Sequence, residues 1–200
     1  MSLLELQRSL VGFARGSRDA YQQCRDLTPL EREWLTQVLN SGGLRISQQI
    51  QQWWRISRIC STAYLTIELL KRNEQAELIL DYITHEPIRT LFFAAELEQF
   101  KSFLHQHPQV DATTKSVIAF EAGIKAAIQL AATKTYSRTE QFPLLITFWC
   151  NPGTLLTALL TGDSLPALEE EPYQVEINPE LESLWICHRR KEISHQQPSH

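Results

Sequence analysis

Phe142-Pro-Leu-Leu-Ile-Thr-Phe-Trp-Cys150, followed by Asn151-Pro-Gly-Thr-Leu-Leu-Thr-Ala-Leu-Leu-Thr-Gly162, decides how this chain is built. Asn151 is a good N-cap, Pro152 fits the first helical position, and Gly162 fits the residue just past a helix end. The stretch predicts a strand and then a short helix. Two more apolar runs follow, Pro172-Tyr-Gln-Val-Glu-Ile-Asn178 and Glu182-Ser-Leu-Trp-Ile-Cys-His-Arg189. Tyr173, Val175 and Ile177 alternate with Gln174 and Glu176, the period-2 pattern of a half-buried strand. The last two strands can pair as a hairpin across Asn178–Glu182. The run Leu184–Cys187 suits burial on both faces, which predicts a central place for it and an edge place for Tyr173–Ile177. A sheet this small is unstable alone and must lean on other elements.

Upstream, nearly everything has helical spacing. Leu3, Leu6, Leu10 and Phe13 predict a first helix over 2–15, closed at Gly16, with a short helical piece over 19–25. Thr28-Pro29-Leu30-Glu31 is a capping box that opens a helix carrying Trp34, Leu35, Val38 and Leu39 inward, to stop at Gly42-Gly43. The longest helix is predicted over 46–72. Ile50, Trp53, Trp54, Ile56, Ile59, Cys60, Ala63, Ile67 and Leu70 form its apolar band, and Gln51, Arg55, Arg58 and Thr62 its polar face. Asn73 is read as the cap of a helix burying Ala76, Leu80 and Ile83. Glu86-Pro87 opens a helix with Phe93, Leu97, Phe100 and Leu104 inward. Asp111 caps 113–133, with Val117, Phe120, Ile124 and Ile128 as the seam. The fold class is mainly α with a small β sheet (α+β). The expected parts are a helical bundle over 1–133, a connector over 134–141, a small α/β peptide-recognition module over 142–190, and a disordered tail over 191–200.

Composition is that of an ordinary globular chain, and a net charge of −4 argues against a nucleic-acid binder. Cys24, Cys60, Cys150 and Cys187 are scattered, without a CxxC, and read as reduced, mostly buried thiols. The first residues lack a basic segment before an apolar one, and no apolar run reaches the ~18 residues of a span, so the expected location is cytoplasmic, away from membranes.

Candidate chemistry is sparse. A di-iron bundle needs Glu-x-x-His pairs, and the chain contains none. Glu96 and Glu121 lie among apolar residues, but Glu121 and Lys125 also make an ordinary i,i+4 pair. His105 and His107 sit at a helix end, where a cation complements the dipole. Cys187 and His188 point to opposite faces of a strand. No nucleophile elbow or phosphate-binding glycine loop is present. The expectation is no catalytic and no metal-binding residue in this chain. Adjacent tryptophans on a helix point about 100° apart, so Trp53 and Trp54 need a very wide core or a partner. Because Trp, Tyr and Arg dominate interfaces, Trp53, Trp54, Arg55 and Arg58 are the partner-interface candidates.

Trp53-Trp-Arg-Ile-Ser-Arg-Ile59, Leu91-Phe92-Phe93 with Glu96 and Phe100, and Phe148-Trp-Cys-Asn-Pro152 with Leu159-Leu160-Thr161-Gly162 and Leu165-Pro166 together resemble the MbnC family. That family is the partner subunit of the methanobactin biosynthesis oxidase, and the resemblance covers most of the chain. It implies a non-catalytic chain bound one-to-one to an iron-containing, MbnB-like oxidase subunit, with the iron in that partner and no cofactor here. Such a pair uses dioxygen to turn cysteines of an MbnA-like precursor peptide into oxazolone–thioamide groups that bind copper. The MbnC-like subunit helps recruit the leader peptide. A leader added as a strand would pair with the predicted edge Tyr173, Gln174, Val175, Glu176 and Ile177, and the neighbouring Glu169-Glu170-Glu171 favours a basic one. The competing readings are a helical DNA-binding regulator using Arg55 and Arg58, which a long central helix fits poorly, and a stand-alone helical enzyme.

Overall fold

The computed structural model describes residues 3–14, 27–86, 93–133 and 142–189. They form α1 (Leu3–Ala14), α2 (Pro29–Leu39), α3 (Gly42–Thr62), α4 (Tyr64–Arg72), α5 (Glu77–His85), α6 (Phe93–Gln106), α7 (Ala112–Thr133), β1 (Leu144–Phe148), α8 (Pro152–Thr161), β2 (Tyr173–Ile177) and β3 (Trp185–Arg189). The chain is therefore mainly α with a small β sheet. The helical piece expected over 19–25, the connector 134–141 and the tail 191–200 lie outside the described residues. Two compact units emerge, Met1–Arg58 with Ile79–Leu91, and Ile59–Leu78 with Phe92–His200.

The first unit has a small core of Phe13, Leu27 and Leu35, with Leu6, Leu10, Val38, Leu39 and Leu44 packed on it. Thr28 begins α2 as its sequence dictates. Its backbone N–H donates to Glu31 Oε2 at 2.8 Å, and its hydroxyl accepts from the Glu31 N–H at 3.3 Å. Trp34, expected inside, is exposed instead. Gly42-Gly43 does not stop a helix but opens α3, because the Ser41 hydroxyl accepts from the Leu44 N–H at 3.1 Å and caps it. On α5 the buried residues are Leu78, Ile79, Tyr82 and Ile83, while Ala76 and Leu80 face outward. The register slips because Asn73 closes α4 rather than opening α5.

The second unit is built around the sheet. Its strand order is β1-β2-β3, all antiparallel, with Ile146 opposite Val175 and Val175 opposite Cys187. Ile146, Phe148, Tyr173, Val175 and Ile177 share a core with Leu69 of α4, Val117, Phe120 and Ala127 of α7, and Leu155 and Leu159 of α8. Phe120 meets Trp185 edge to face, centroids 5.4 Å apart. Gly123 lets α7 approach closely, since a Cβ there would lie 2.7 Å from Ile177 Cδ1 and from Leu144 Cδ2. The Asp111 carboxylate caps α7 through the Thr114 N–H at 2.6 Å. Of the predicted seam Val117 and Phe120 are buried, Ile124 is half-buried, and Ile128 is exposed. α8 has the predicted ends, with Asn151 Oδ1 accepting from the Thr154 N–H at 3.1 Å and Gly162 left-handed at φ 85°. Arg72 of α4 then donates to the carbonyls of Ala158, at 2.9 Å, and Asp163, closing the far end of α8.

The single long helix expected over 46–72 is two helices, broken at Ala63 (φ −122°, ψ 44°). No glycine or proline marks the break. Glu121 of α7 stabilises it, accepting from the N–H groups of Leu65 and Thr66 at 2.8 and 3.0 Å and from the Thr66 hydroxyl at 2.6 Å. A carboxylate on the first N–H groups of α4 does the work of an N-cap from another helix. Burial raises the Glu121 pKa above the ordinary carboxylate value, opposed by those three hydrogen bonds.

Candidate interaction surfaces

Part of the apolar band predicted over 46–72 is buried as expected, Ile59 and Ala63 fully and Ile56 and Cys60 by half, but toward the N-terminal side of α3 the predicted faces are exchanged. Arg55 and Arg58 are only 3% and 4% exposed, whereas Trp53 is 72% and Ile50 63% exposed. Ile46, Ile50 and Trp53 are spaced i, i+4, i+7, so they form one outward ridge, and Trp54 flanks it at 48% exposure. The predicted core band is thus partly solvent-facing, and the predicted polar face is inside.

Hydrogen bonding explains the inversion. Arg55 Nη1 donates to the carbonyls of Ile83 at 3.1 Å and Glu86 at 2.8 Å, and its guanidinium stands 4.9 Å from the Tyr82 ring centroid. It satisfies carbonyls at the end of α5 that a helix leaves unpaired. Arg58 lies over the Trp54 ring, 3.2 Å from its centroid. Trp54 therefore roofs a buried cation, and Trp53 is left as the outward anchor. Neither arginine presents its guanidinium for a partner or a phosphate, so both drop out as interface residues. The DNA-binding reading loses the two residues on which it rested.

The sheet also corrects an expectation. β2 is the middle strand and not an edge. Tyr173, Val175 and Ile177 are buried, and Gln174 and Glu176 are half-buried on the opposite face. Alternation reports that a strand has one face on a core and one face open; it says nothing about whether a neighbour lies on each side. The Asn178 N–H donates to the Leu184 carbonyl at 2.9 Å, which fixes the hydrogen-bond phase along both ladders. Residues 174 and 176 face β3, residues 173, 175 and 177 face β1, and no row of β2 remains for an added strand.

The same phase turns the backbone groups of 145, 147 and 149 to the outer side of β1, and those of 185, 187 and 189 to the outer side of β3. On β1 the Thr147 carbonyl accepts from the Ser116 hydroxyl at 2.6 Å, and the Trp149 carbonyl from the Glu169 N–H at 2.7 Å. On β3 the Trp185 carbonyl accepts from the Ser183 hydroxyl at 2.7 Å. The run Leu184–Cys187, expected at the centre, is thus the other margin of the sheet. The acid expected to attract a basic leader is engaged as well. Glu169 accepts from Arg189 Nη2 at 2.9 Å and from the Tyr173 hydroxyl at 3.1 Å.

Among the described residues, no three His, Cys, Asp or Glu side chains are grouped so as to hold a metal ion. Cys150 is buried, and burial and then Glu169 push its thiol pKa up, away from the reactive thiolate. Cys60 is half-buried, and Cys187 is exposed on β3 rather than buried. Burial and the nearby Lys101 and Lys115 lower the pKa of His105, which disfavours its cationic form. No family model, curated protein or solved structure matches this chain. Sequence reading named Trp53 for an interface but missed Ile46 and Ile50 as its companions. The absence of any acidic residue from Gly42 to Thr62 was the available signal.

Proposed function

We propose that this chain is a non-catalytic partner subunit of an iron-dependent, peptide-modifying oxidase, the role that its resemblance to the MbnC family implies. The observation that carries the reading is the outward ridge of Ile46, Ile50 and Trp53 on α3. Burying an isoleucine or a tryptophan is worth about 1.5–3 kcal/mol or more, and monomeric proteins seldom leave such a row in water. Depletion of charge together with Trp and Ile is the composition of an interface centre. On this reading the oxidase subunit covers the ridge, the iron belongs to that subunit, and this chain supplies recognition of the precursor leader. The leader adds as a strand at the β3 margin, because β2 is enclosed and two outward carbonyls on the β1 side already accept hydrogen bonds, against one on β3.

The test is co-expression with an MbnB-like iron subunit, followed by size-exclusion chromatography. The wild-type chain should co-elute one-to-one, and Ile50→Asp with Trp53→Ala should separate the two while leaving each folded. Co-elution that survives the double substitution removes the ridge from the interface. Separate elution of the wild-type chains refutes the partnership.

A further inference from the structure

A second apolar feature lies in the first unit, and its lining does not include the ridge residues of α3. Leu6 of α1 and Leu30 and Trp34 of α2 line a groove of about 450 Å³, whose other lining residues among those described are Glu31, Glu33 and Gln37. Leu30 and Trp34 are i and i+4 on α2, and Glu33 and Gln37 make the adjacent ridge. Leu30 is 75% exposed, so it contributes almost nothing to the fold where it stands. Among the described residues, no cation lines the groove. Thr28 donates two hydrogen bonds to Glu31, at 2.8 and 2.7 Å, which fix that carboxylate in place and lower its pKa below the ordinary value.

We propose that the α1–α2 groove is a docking site for a basic amphipathic helix of a partner protein. Its apolar lining matches the leucine-type anchors that such a helix presents at i, i+4 and i+7. Glu31 and Glu33 supply the charge complementarity, so that lysines beside those anchors meet carboxylates on the groove wall. An acidic helix is repelled, and an uncharged one loses the electrostatic part of recognition. The volume falls in the range of ligand pockets, about 300–1,000 Å³, and has room for a few side chains but not for a folded domain. The inference does not depend on an oxidase partner.

The experiment titrates the full-length chain into a fluorescein-labelled synthetic helix of about 18 residues, with Leu at i, i+4 and i+7 flanked by Lys, and reads anisotropy. A scrambled peptide of identical composition is the control. The designed peptide should bind at least about tenfold more tightly than the scrambled one, and more weakly as salt rises. Leu30→Ala and Glu33→Lys should each weaken binding by about tenfold. Glu170→Lys changes the net charge equally at an exposed position in the other unit and should leave binding unchanged. Leu30 and Glu33 are both exposed, so these variants keep the fold, as circular dichroism should show. Equal binding by the scrambled peptide, equal losses from Glu33→Lys and Glu170→Lys, or no binding of the designed helix overturns the proposal.

Discussion

The two sides of α3 differ in a way that composition alone would reverse. One side holds Arg55 and Arg58, buried; the other holds Ile46, Ile50 and Trp53, exposed. The arginines go inward because each has specific work there, the carbonyls of Ile83 and Glu86 for one and the Trp54 ring for the other. A buried guanidinium with such partners is stable, and removing it leaves those partners uncompensated. Among the described residues, Ile46, Ile50 and Trp53 on the apolar side stay largely exposed. Along this part of α3, burial follows hydrogen-bond and ring partners rather than hydropathy.

The sharpest way to break this comparison is to truncate both sides. Arg55→Ala should lower unfolding stability by about 2–4 kcal/mol in urea titrations, since two carbonyls lose a charged donor. Trp53→Ala should change stability by no more than about 0.5 kcal/mol. If the two variants unfold at the same urea concentration, the assignment of inside and outside is wrong.

The end of α3 offers the next test. Glu121→Ala should cost about 2–3 kcal/mol, because two N–H groups and a hydroxyl lose their common acceptor. Glu121→Gln should cost less and should also change the pH dependence. Burial raises the Glu121 pKa in the folded chain, so the folded state binds a proton more readily than the unfolded one. The resulting stability is fully present below the ordinary carboxylate value and is lost as pH rises through the raised one. Melting profiles of wild type minus Gln should therefore shift in favour of the wild type as pH falls toward the ordinary carboxylate range. A difference that is flat with pH would show that the carboxyl keeps its ordinary affinity for protons.

A smaller effect separates the adjacent tryptophans. Trp54→Ala removes the ring over Arg58 and should cost about 1–2 kcal/mol, more than Trp53→Ala, because the cation beneath it is desolvated. Equal costs would mean that the ring contributes nothing beyond its own burial. Under the proposed partnership, Trp53→Ala should instead weaken co-elution with the oxidase subunit, an effect that a residue of purely structural importance would not produce.

Much of the architecture was legible because its signals are local. The Thr28 capping box, the Asn151 cap with Pro152, and the left-handed Gly162 each involve residues within a few positions of one another, and each forms as the sequence dictates. The period-2 run Tyr173–Ile177 likewise determined a strand and its buried face. What the sequence by itself did not determine was which partner each face or edge would meet. The break at Ala63 depends on Glu121, more than fifty residues away, and the burial of Arg55 depends on carbonyls about thirty residues away. The central place of β2 depends on β1 and β3 flanking it, a fact that hydropathy along one strand cannot encode, since alternation is the same for an edge and for a centre. Tertiary structure decided these points because hydrogen-bond partners and strand neighbours are supplied by other parts of the chain, while caps and periodicity are supplied by the segment itself.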